Sequence, residues 1–316
     1  MGYSVWQISA GPADRSYADL FLSYGVGLIA PGDSGPWKPG EADERFEGGF
    51  VRRFASEMQA GDIVVLRTGI DRIRAVGIVA SAYQYLEPFD DVNGWDLQHA
   101  RRIRWQRLPE EYVFSGGVFG ANPTRCSRVR NEEVVDYARR VVGSGLTRWQ
   151  EAPLPALPPV EAALEMVPRE LGDVVALARD LAGLYGDAER LGDAPAETET
   201  IAHFVVPFLR ALGWAPERIA VEWRRIDVAL FDALPRTPES CRFVIEAKRL
   251  GTGLEGARKQ AEAYVETLEV PRNVVVTDGF RYRLFSCEDD FAPVAYANLA
   301  RLKASATDLF THLRRP

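Results

Sequence analysis

The stretch "CRFVIEAKRL", residues 241–250, ends an apolar run with an acid and a base two positions apart. Side chains alternate between the two faces of a β-strand, so this spacing puts Glu246 and Lys248 on the same face. In the preceding run, "VEWRRIDVALFD", the same alternation turns Asp227 toward the end of the neighbouring strand. Two carboxylates and one ammonium group are therefore predicted to converge beside one edge of a sheet.

These residue types suit the hydrolysis of a phosphodiester. Two close carboxylates repel each other, and a hard cation such as Mg²⁺ relieves that repulsion while accepting a phosphate oxygen as a further ligand. The metal lowers the pKa of a bound water, and a lysine beside it can orient that water or neutralise developing charge. For a Glu-x-Lys pair taken alone, the simpler interpretation is favoured, namely solvated strand-end acids and an edge lysine that blocks aggregation.

The wider pattern "RRID...VIEAKR...QAEAY...VVVTDG" resembles the PD-(D/E)XK nuclease superfamily, in particular the N-terminal nuclease domain of type I restriction motor subunits. Asp227 matches the Asp of that motif, and Glu246-Ala247-Lys248 matches its (D/E)XK. Gln260 and Tyr264 match a helical QxxxY signature. The resemblance covers about residues 195–290. It implies an α/β core with a mixed sheet flanked by helices, and Mg²⁺-dependent cleavage of DNA.

Upstream, "ETETIAHFVVPFLRALGW" is similar to the first helix of that family, whose leading Glu projects toward the metal. By this resemblance Glu197 is the helix acid, with Glu199 as the alternative one step round the helix. The proline of the motif is Ile226 here, a departure that leaves the ligands untouched. The resemblance implies that Mg²⁺, which Mn²⁺ can replace, is held by three acids, that two side chains assist catalysis, and that two contact phosphate. The metal ligands would be Asp227, Glu246 and Glu197. The side chains that assist catalysis would be Lys248 and Gln260, and those that contact phosphate would be Arg249 and Tyr264.

From residue 3 to about 108 the chain reads as short β runs broken by Gly/Pro/Asp turns, with two short amphipathic helices between them. A capped helix follows in "NEEVVDYARRVVGSG". This pattern predicts a small curved α+β barrel. The order "VWQISAG...GVGLIAPGD...GDIVVLRTG...AVGIVAS...NGWDLQHARRIRW" is similar to the PUA-like superfamily, whose EVE and YTH members hold a modified base in an aromatic cage.

The PUA-like resemblance implies a base pocket at the mouth of the barrel and a basic strand for the flanking phosphates. The pocket candidates are Trp6, Trp37, Trp95, Asp33, Ser34, Asn93 and Asp96, and the phosphate candidates are Arg101, Arg102 and Arg104. For any single tryptophan a place in the core is the alternative, and for the arginines the alternative is a solvated strand. The loop sequences "SGPWKPG" and "VNGWDLQH" make Trp37 and Trp95 the best pocket candidates.

The length of 316 residues, with 47% hydrophobic residues, suits two ordinary domains. The Pro-rich segment 151–163 reads as a connector, since it can continue neither a helix nor a central strand. We expect a base-recognition domain over 1–148, a linker with connecting helices over 149–192, and a nuclease domain over 193–316. Three scattered cysteines and no basic, apolar leader predict a cytoplasmic protein without a membrane partner.

Together these features predict a modification-dependent, type IV-like restriction endonuclease of phage defence, in which an α+β PUA-like barrel precedes an α/β mixed-sheet PD-(D/E)XK domain. The partner is DNA that carries a modified base, and a homodimer is expected during cleavage because one site cuts one strand. A net charge of −7 does not by itself favour DNA. Two alternatives remain: a defence effector nuclease activated by a nucleotide signal, and a nucleic-acid sensor with an idle nuclease fold.

Overall fold

The computed structural model describes residues 3–11, 16–32, 34–40, 49–120, 125–143, 153–165, 172–185, 195–250, 254, 257–268, 273–289 and 291–315. The chain divides into two compact units, Met1–Val160 and Glu161–Pro316. The division falls inside the segment 149–192 that the sequence predicts to be a linker. Leu157 packs on the first core, whereas Leu164 belongs to the second. No helix among the described residues is long and apolar enough to cross a bilayer.

The first unit is built on one curled, seven-stranded sheet in the order β2-β6-β4-β3-β1-β7, with β5 paired to β6. Its elements are β1 (Val5–Ser9), α1 (Ala18–Tyr24), β2 (Val26–Ile29), α2 (Phe50–Arg52, continued as a π-helix over Arg53–Glu57), β3 (Ile63–Arg67), β4 (Arg72–Val79), β5 (Gln84–Tyr85), β6 (His99–Val113), β7 (Cys126–Arg128) and α3 (Glu132–Gly143). Strand β6 pairs with β2 through its first residues and with β4 through the remainder, which lets one sheet curl.

The second unit has a mixed six-stranded sheet in the order β13-β12-β11-β10-β9-β8, in which only β10 and β11 are parallel. Its elements are α4 (Gly172–Tyr185), α5 (Glu197–Thr200, a π-helical turn Ile201–Val205, and Val206–Ala211), β8 (Ile219–Trp223), β9 (Ile226–Phe231), β10 (Cys241–Ala247), α6 (Ala257–Leu268), β11 (Asn273–Thr277), β12 (Arg281–Ser286), β13 (Ala292–Asn298) and α7 (Ala306–Leu313). The mixed α+β class predicted from the sequence is confirmed.

Helices cover both faces of the second sheet. Residues of α4, α5 and α7 share one core cluster with Val228, Phe243 and Ile245 of the strands. Helix α6 packs on the opposite face through Ala261 and Val265. Because α6 is the crossover between the parallel strands β10 and β11, it lies over the end of β10, where the candidate acids are found.

The run "RIAVEWRRIDVALFD" was predicted as a single β run, and this prediction is wrong in one respect. The run forms two antiparallel strands, β8 and β9, joined at Arg224 and Arg225 and closed by the pair Trp223–Ile226. Both arginines have positive φ, 52° and 71°. A two-residue hairpin normally signals itself by Asn-Gly or a similar pair, which this sequence lacks.

Candidate functional site

Asp227 and Glu246 face each other where two antiparallel strands end their pairing. The ladder between β9 and β10 ends at Val228–Ile245, so these two acids are the next facing residues. Oδ2 of Asp227 accepts a hydrogen bond of 2.8 Å from the backbone N–H of Ala247. That bond fixes the half-buried carboxylate of Asp227 against the end of β10.

Glu246 is fully buried, which is unusual for an acid at a strand end. Its Oε1 pairs with the ammonium group of Lys248, but no donor among the described residues reaches its buried Oε2. The pKa of the Glu246 carboxyl is raised to about 7, first by burial and then by the carboxylates of Asp227 and Glu197, against the opposing hydrogen bond from Lys248. The site therefore contains a carboxylate oxygen in need of a cation or a proton.

Lys248 connects the strand acids to both neighbouring helices. Besides Glu246, its Nζ contacts Oε1 of Gln260 at 3.2 Å and lies 3.9 Å from Oε2 of Glu197. Burial alone would lower the pKa of Lys248, but the bond to Glu246 and the charges of the surrounding acids outweigh burial and raise it. Lys248 is thus a charged donor at neutral pH, not a general base.

Two side chains of α6 complete the neighbourhood of Lys248. Nε2 of Gln260 donates a 2.7 Å hydrogen bond to the hydroxyl of Tyr264, which orients the amide so that its oxygen faces Lys248. Burial, the first cause, and the nearby acids raise the pKa of the Tyr264 hydroxyl. The hydroxyl therefore stays protonated and can donate. Arg249 is exposed directly after this group.

Glu197 is the first residue of α5, and the structure separates it from the alternative acid. Its carboxylate lies near Lys248, whereas Glu199 is exposed and makes no such contact. The π-helical turn that follows, Ile201–Val205, interrupts the helix beside this residue. Turns of this kind are frequent at functional sites. The geometry thus brings together Glu197, Asp227, Glu246, Lys248, Gln260 and Tyr264.

The donor set suits a hard cation held by few protein ligands. Across the described residues, no group of three His, Cys, Asp or Glu side chains is placed to hold a metal ion. Asp227 and Glu246 nevertheless face each other, and the buried Oε2 of Glu246 has no partner there. Mg²⁺ keeps several waters and needs only one or two carboxylates together with phosphate oxygens. The two acids fit that requirement.

In the first unit, two loops predicted to line the base pocket come together. The backbone N–H of Gly32 donates to the carbonyl of Asp96 at 2.8 Å. Trp37 is half-buried, its backbone N–H donates to the hydroxyl of Tyr83 at 3.0 Å, and its buried Nε1 meets no acceptor in the described part of the chain. Ser34 is half-buried beside it, and Asp33 lies outside the described residues.

Trp95 sits on a second aromatic group near the same loops. Its ring lies 6.2 Å from that of Tyr17, and the guanidinium of Arg125 lies 5.3 Å from its centroid. Asn93 is exposed with φ 48°, a left-handed backbone that asparagine tolerates. Trp37 and Trp95 are thus half-buried aromatic residues near joined loops, as a stacking pocket needs.

The structure corrects the roles predicted from the sequence for two residues of the first unit. Trp6 is only 2% exposed, because β1 lies between β3 and β7, and its indole N–H donates to Asp62 at 2.9 Å. Arg101 is 2% exposed as well, and its guanidinium donates to the carbonyls of Phe54 and Ala55 at the end of α2. Trp6 is a core residue, and Arg101 caps a helix end and is not available to phosphate.

Arg102 and Arg104, the other two predicted phosphate contacts on β6, are less buried than Arg101. Arg102 is half-buried and donates to the carbonyls of Tyr24, Gly25 and Pro155. Arg104 is half-buried on the same strand. Neither residue is fully buried, so a phosphate contact stays a prediction for Arg102 and Arg104.

Comparison with known proteins gives limited matches. Residues 37–114, inside the first unit, match the profile of a domain of unknown function, DUF8426. A solved fragment described as an HsdR subunit of a type I restriction enzyme from Vibrio vulnificus YJ016 is 20% identical, with a TM-score of 0.26. The match covers 38% of this chain and 25% of that one. No curated protein matches.

Sequence reasoning missed two polar residues at the start of β6. His99 is fully buried and contacts the hydroxyl of Tyr83 at 2.7 Å and the carbonyl of Pro31 at 2.8 Å. Gln98 donates to Asp90 at 2.8 Å, which leaves its buried Oε1 without a donor among the residues described. His99 is a polar residue at a buried position of β6, and this was the available signal; Gln98 lies just before the strand.

Proposed function

We propose that the second unit is a Mg²⁺-dependent phosphodiesterase of the PD-(D/E)XK type that cuts DNA. The observation that carries this proposal is the buried carboxylate of Glu246, which lies between Asp227 and Lys248 with one oxygen lacking a partner. A purely structural acid at this depth would have both oxygens paired. Lys248, which pairs with Glu246, is itself partly exposed, so the site can be reached from solvent at this lysine.

A bound Mg²⁺ ion would supply a polarised water and positive charge at the phosphate. Asp227 and Glu246 would hold it, and Glu197 of α5 lies beside Lys248, close enough to add negative charge near the ion. Lys248 keeps its proton on Nζ and can donate to a phosphate oxygen or orient the attacking water. Gln260 restrains that Nζ through its oxygen, and the hydroxyl of Tyr264 offers a further donor.

For the first unit, the proposed role is to read a base, as the PUA-like resemblance implies. The half-buried Trp37 and Trp95 supply flat surfaces for stacking. The buried Nε1 of Trp37 has no acceptor among the described residues, so it is the candidate donor to a base edge. Extrusion of a base from the duplex costs a few kcal/mol and is easier at altered pairs.

Together the two units would then act as a modification-dependent, type IV-like restriction endonuclease. A reader raises the local concentration of marked DNA at a catalytic site that has no sequence preference of its own. Since one site cuts one strand, two chains would act together on a duplex.

The catalytic assignment is tested by cleavage of plasmid DNA in Mg²⁺ with matched acid variants. Asp227→Asn and Glu197→Gln should lose at least about 10²-fold in rate, a typical effect of removing an electrostatic contact to a transition state. Glu199→Gln removes an exposed acid from the same helical turn and should cleave normally. Retention of nicking by Asp227→Asn would show that the catalytic assignment is wrong.

The reader assignment is tested with duplexes that carry cytosine, 5-methylcytosine, 5-hydroxymethylcytosine or N6-methyladenine in one sequence. The proposal expects one modified duplex to be cut faster than the others. Equal cutting of all four would reject the reader while keeping the nuclease. Cutting of unmodified DNA only after addition of a free nucleotide would favour the signal-activated effector.

A further inference from the structure

The hairpin between β8 and β9 has an unusual tip. Three non-glycine residues within four positions have positive φ: Glu222 at 54°, Arg224 at 52° and Arg225 at 71°. The pair Trp223–Ile226 closes a two-residue turn, and its central positions favour asparagine and glycine. Two arginines at these positions are unfavourable for the backbone, so a role in local folding does not explain them.

The tip lies at the same edge of the sheet as the candidate catalytic acids. Arg225 precedes Asp227 by two residues at the start of β9. Strands β9 and β10 are antiparallel, so the start of β9 lies beside the end of β10, where Glu246 and Lys248 are found. The hairpin therefore projects from the catalytic edge.

The charges at the tip are accessible. Arg224 and Arg225 are both exposed, and no carboxylate of a described residue forms an ion pair with either one. Other arginines of the chain do pair with acids, as Arg242 does with Asp232. These two cations are thus available to an external anion.

An aromatic platform holds one of the two guanidinium groups. Arg224 lies 4.9 Å from the ring centroid of Trp223. That ring packs edge-on against the buried ring of Phe231, with centroids 4.9 Å apart. A cation stacked on a fixed ring loses less conformational freedom on binding than a free arginine does.

We propose that the tip of the β8–β9 hairpin is a contact for the DNA backbone, in which Arg224 and Arg225 bind phosphates next to the bond that is cut. This inference rests on the proposed nuclease function. At the site, the three acids Glu197, Asp227 and Glu246 outnumber the one lysine, an arrangement that repels a polyanion. Two cations at the same edge offset that repulsion. Because phosphate contacts carry no sequence information, these are positioning residues that suit a site without sequence preference.

The double variant Arg224→Asn/Arg225→Gly separates charge from folding, because Asn-Gly is the preferred turn for this hairpin. In EDTA, binding of the full chain to a labelled duplex should weaken, and the slope of log affinity against log salt should fall by about two, one for each lost phosphate contact. The thermal midpoint should hold or rise. Arg139→Ala/Arg140→Ala is the matched control, since it removes two exposed charges from α3.

The inference is supported when, of the two variants, only the hairpin variant binds the duplex more weakly and with a smaller dependence of affinity on salt. It is overturned when the hairpin variant binds like the wild-type chain, when the α3 control loses as much, or when the wild-type chain binds no duplex. Failure of the nuclease proposal is seen separately, because cleavage by Asp227→Asn reports on catalysis and binding in EDTA does not.

Discussion

Glu246 places an ionisable group in the interior of the second unit, and its titration therefore affects folding. Its pKa is about 7 in the folded chain against an ordinary value of 4.5. Since the folded pKa is the higher one, the folded chain binds this proton more tightly than the unfolded chain. The stabilisation is complete below about pH 4.5 and is lost as pH rises through about 7, a change of roughly 3 kcal/mol at ~1.4 kcal/mol per pKa unit.

Replacement by an amide should remove that pH dependence. We expect Glu246→Gln, compared with the wild-type chain in EDTA, to lose less thermal stability between about pH 5.5 and pH 8, because the amide does not titrate in this range. Thermal unfolding followed by circular dichroism measures the difference. Glu199→Gln, an exposed acid, should keep the wild-type slope. Parallel slopes for Glu246→Gln and the wild-type chain would contradict a raised pKa at this residue.

At the scale of elements, a tryptophan hydrogen-bonds the end of α7 to the core. Trp214 is fully buried, and its indole N–H donates to the carbonyl of Leu313, the last residue of α7, at 2.8 Å. This bond satisfies one of the carbonyls that a helix end leaves without an intrahelical partner.

Two substitutions at Trp214 should separate the hydrogen bond from the packing. Trp214→Phe keeps an aromatic ring but leaves the carbonyl unpaired, so we expect a loss of about 1–3 kcal/mol in unfolding free energy. Trp214→Ala should lose about 3–5 kcal/mol, because it also opens a cavity. Urea unfolding of both variants measures the two losses. A Trp214→Phe variant as stable as the wild-type chain would show that the bond to Leu313 contributes nothing.

Elements with a regular apolar pattern could be predicted from the sequence, and those without one could not. Alternation in "CRFVIEAK" predicts β10, and the spacing of the QxxxY pair predicts the helix over its end. The β8–β9 boundary was missed because arginines occupy left-handed positions there. Strand β13 was not predicted, since its first residues are exposed and its pattern shows no clear alternation.

The candidate site shows the same division. Its two strand acids, Asp227 and Glu246, and its lysine follow strand alternation and could be placed beforehand, whereas Glu197 was assigned by the family resemblance. The burial of Glu246 could not, because it depends on side chains from α5 and α6 that are distant in sequence. Trp6 and Arg101 show the converse. Their residue types suggested binding, but both are buried, Trp6 between neighbouring strands and Arg101 against the end of α2.

At the scale of the whole molecule, the two units have separate proposed roles, so variants should separate them. Trp37→Ala should reduce the preference for a modified duplex and leave cleavage of unmodified DNA unchanged, since base stacking is worth about 1–3 kcal/mol. Cleavage rates on matched duplexes measure this ratio.

Trp6→Ala is the control for that experiment. Because Trp6 lies in the core, it should instead lower the stability of the first unit by about 3–5 kcal/mol. If Trp37→Ala lowers the thermal midpoint but keeps the wild-type ratio of cleavage rates on modified and unmodified duplexes, Trp37 is a core residue like Trp6 and not part of the pocket.

The attachment of α7 to α5 also bears on protein synthesis. All residues of the proposed catalytic group leave the ribosome before α7 does, and yet α5, which carries Glu197, packs against Leu309 and Phe310 of α7. The N–H of Arg315 also bonds to the carbonyl of Leu212. A chain that stops before α7 would thus contain every side chain of the proposed catalytic group but lack the packing that supports α5.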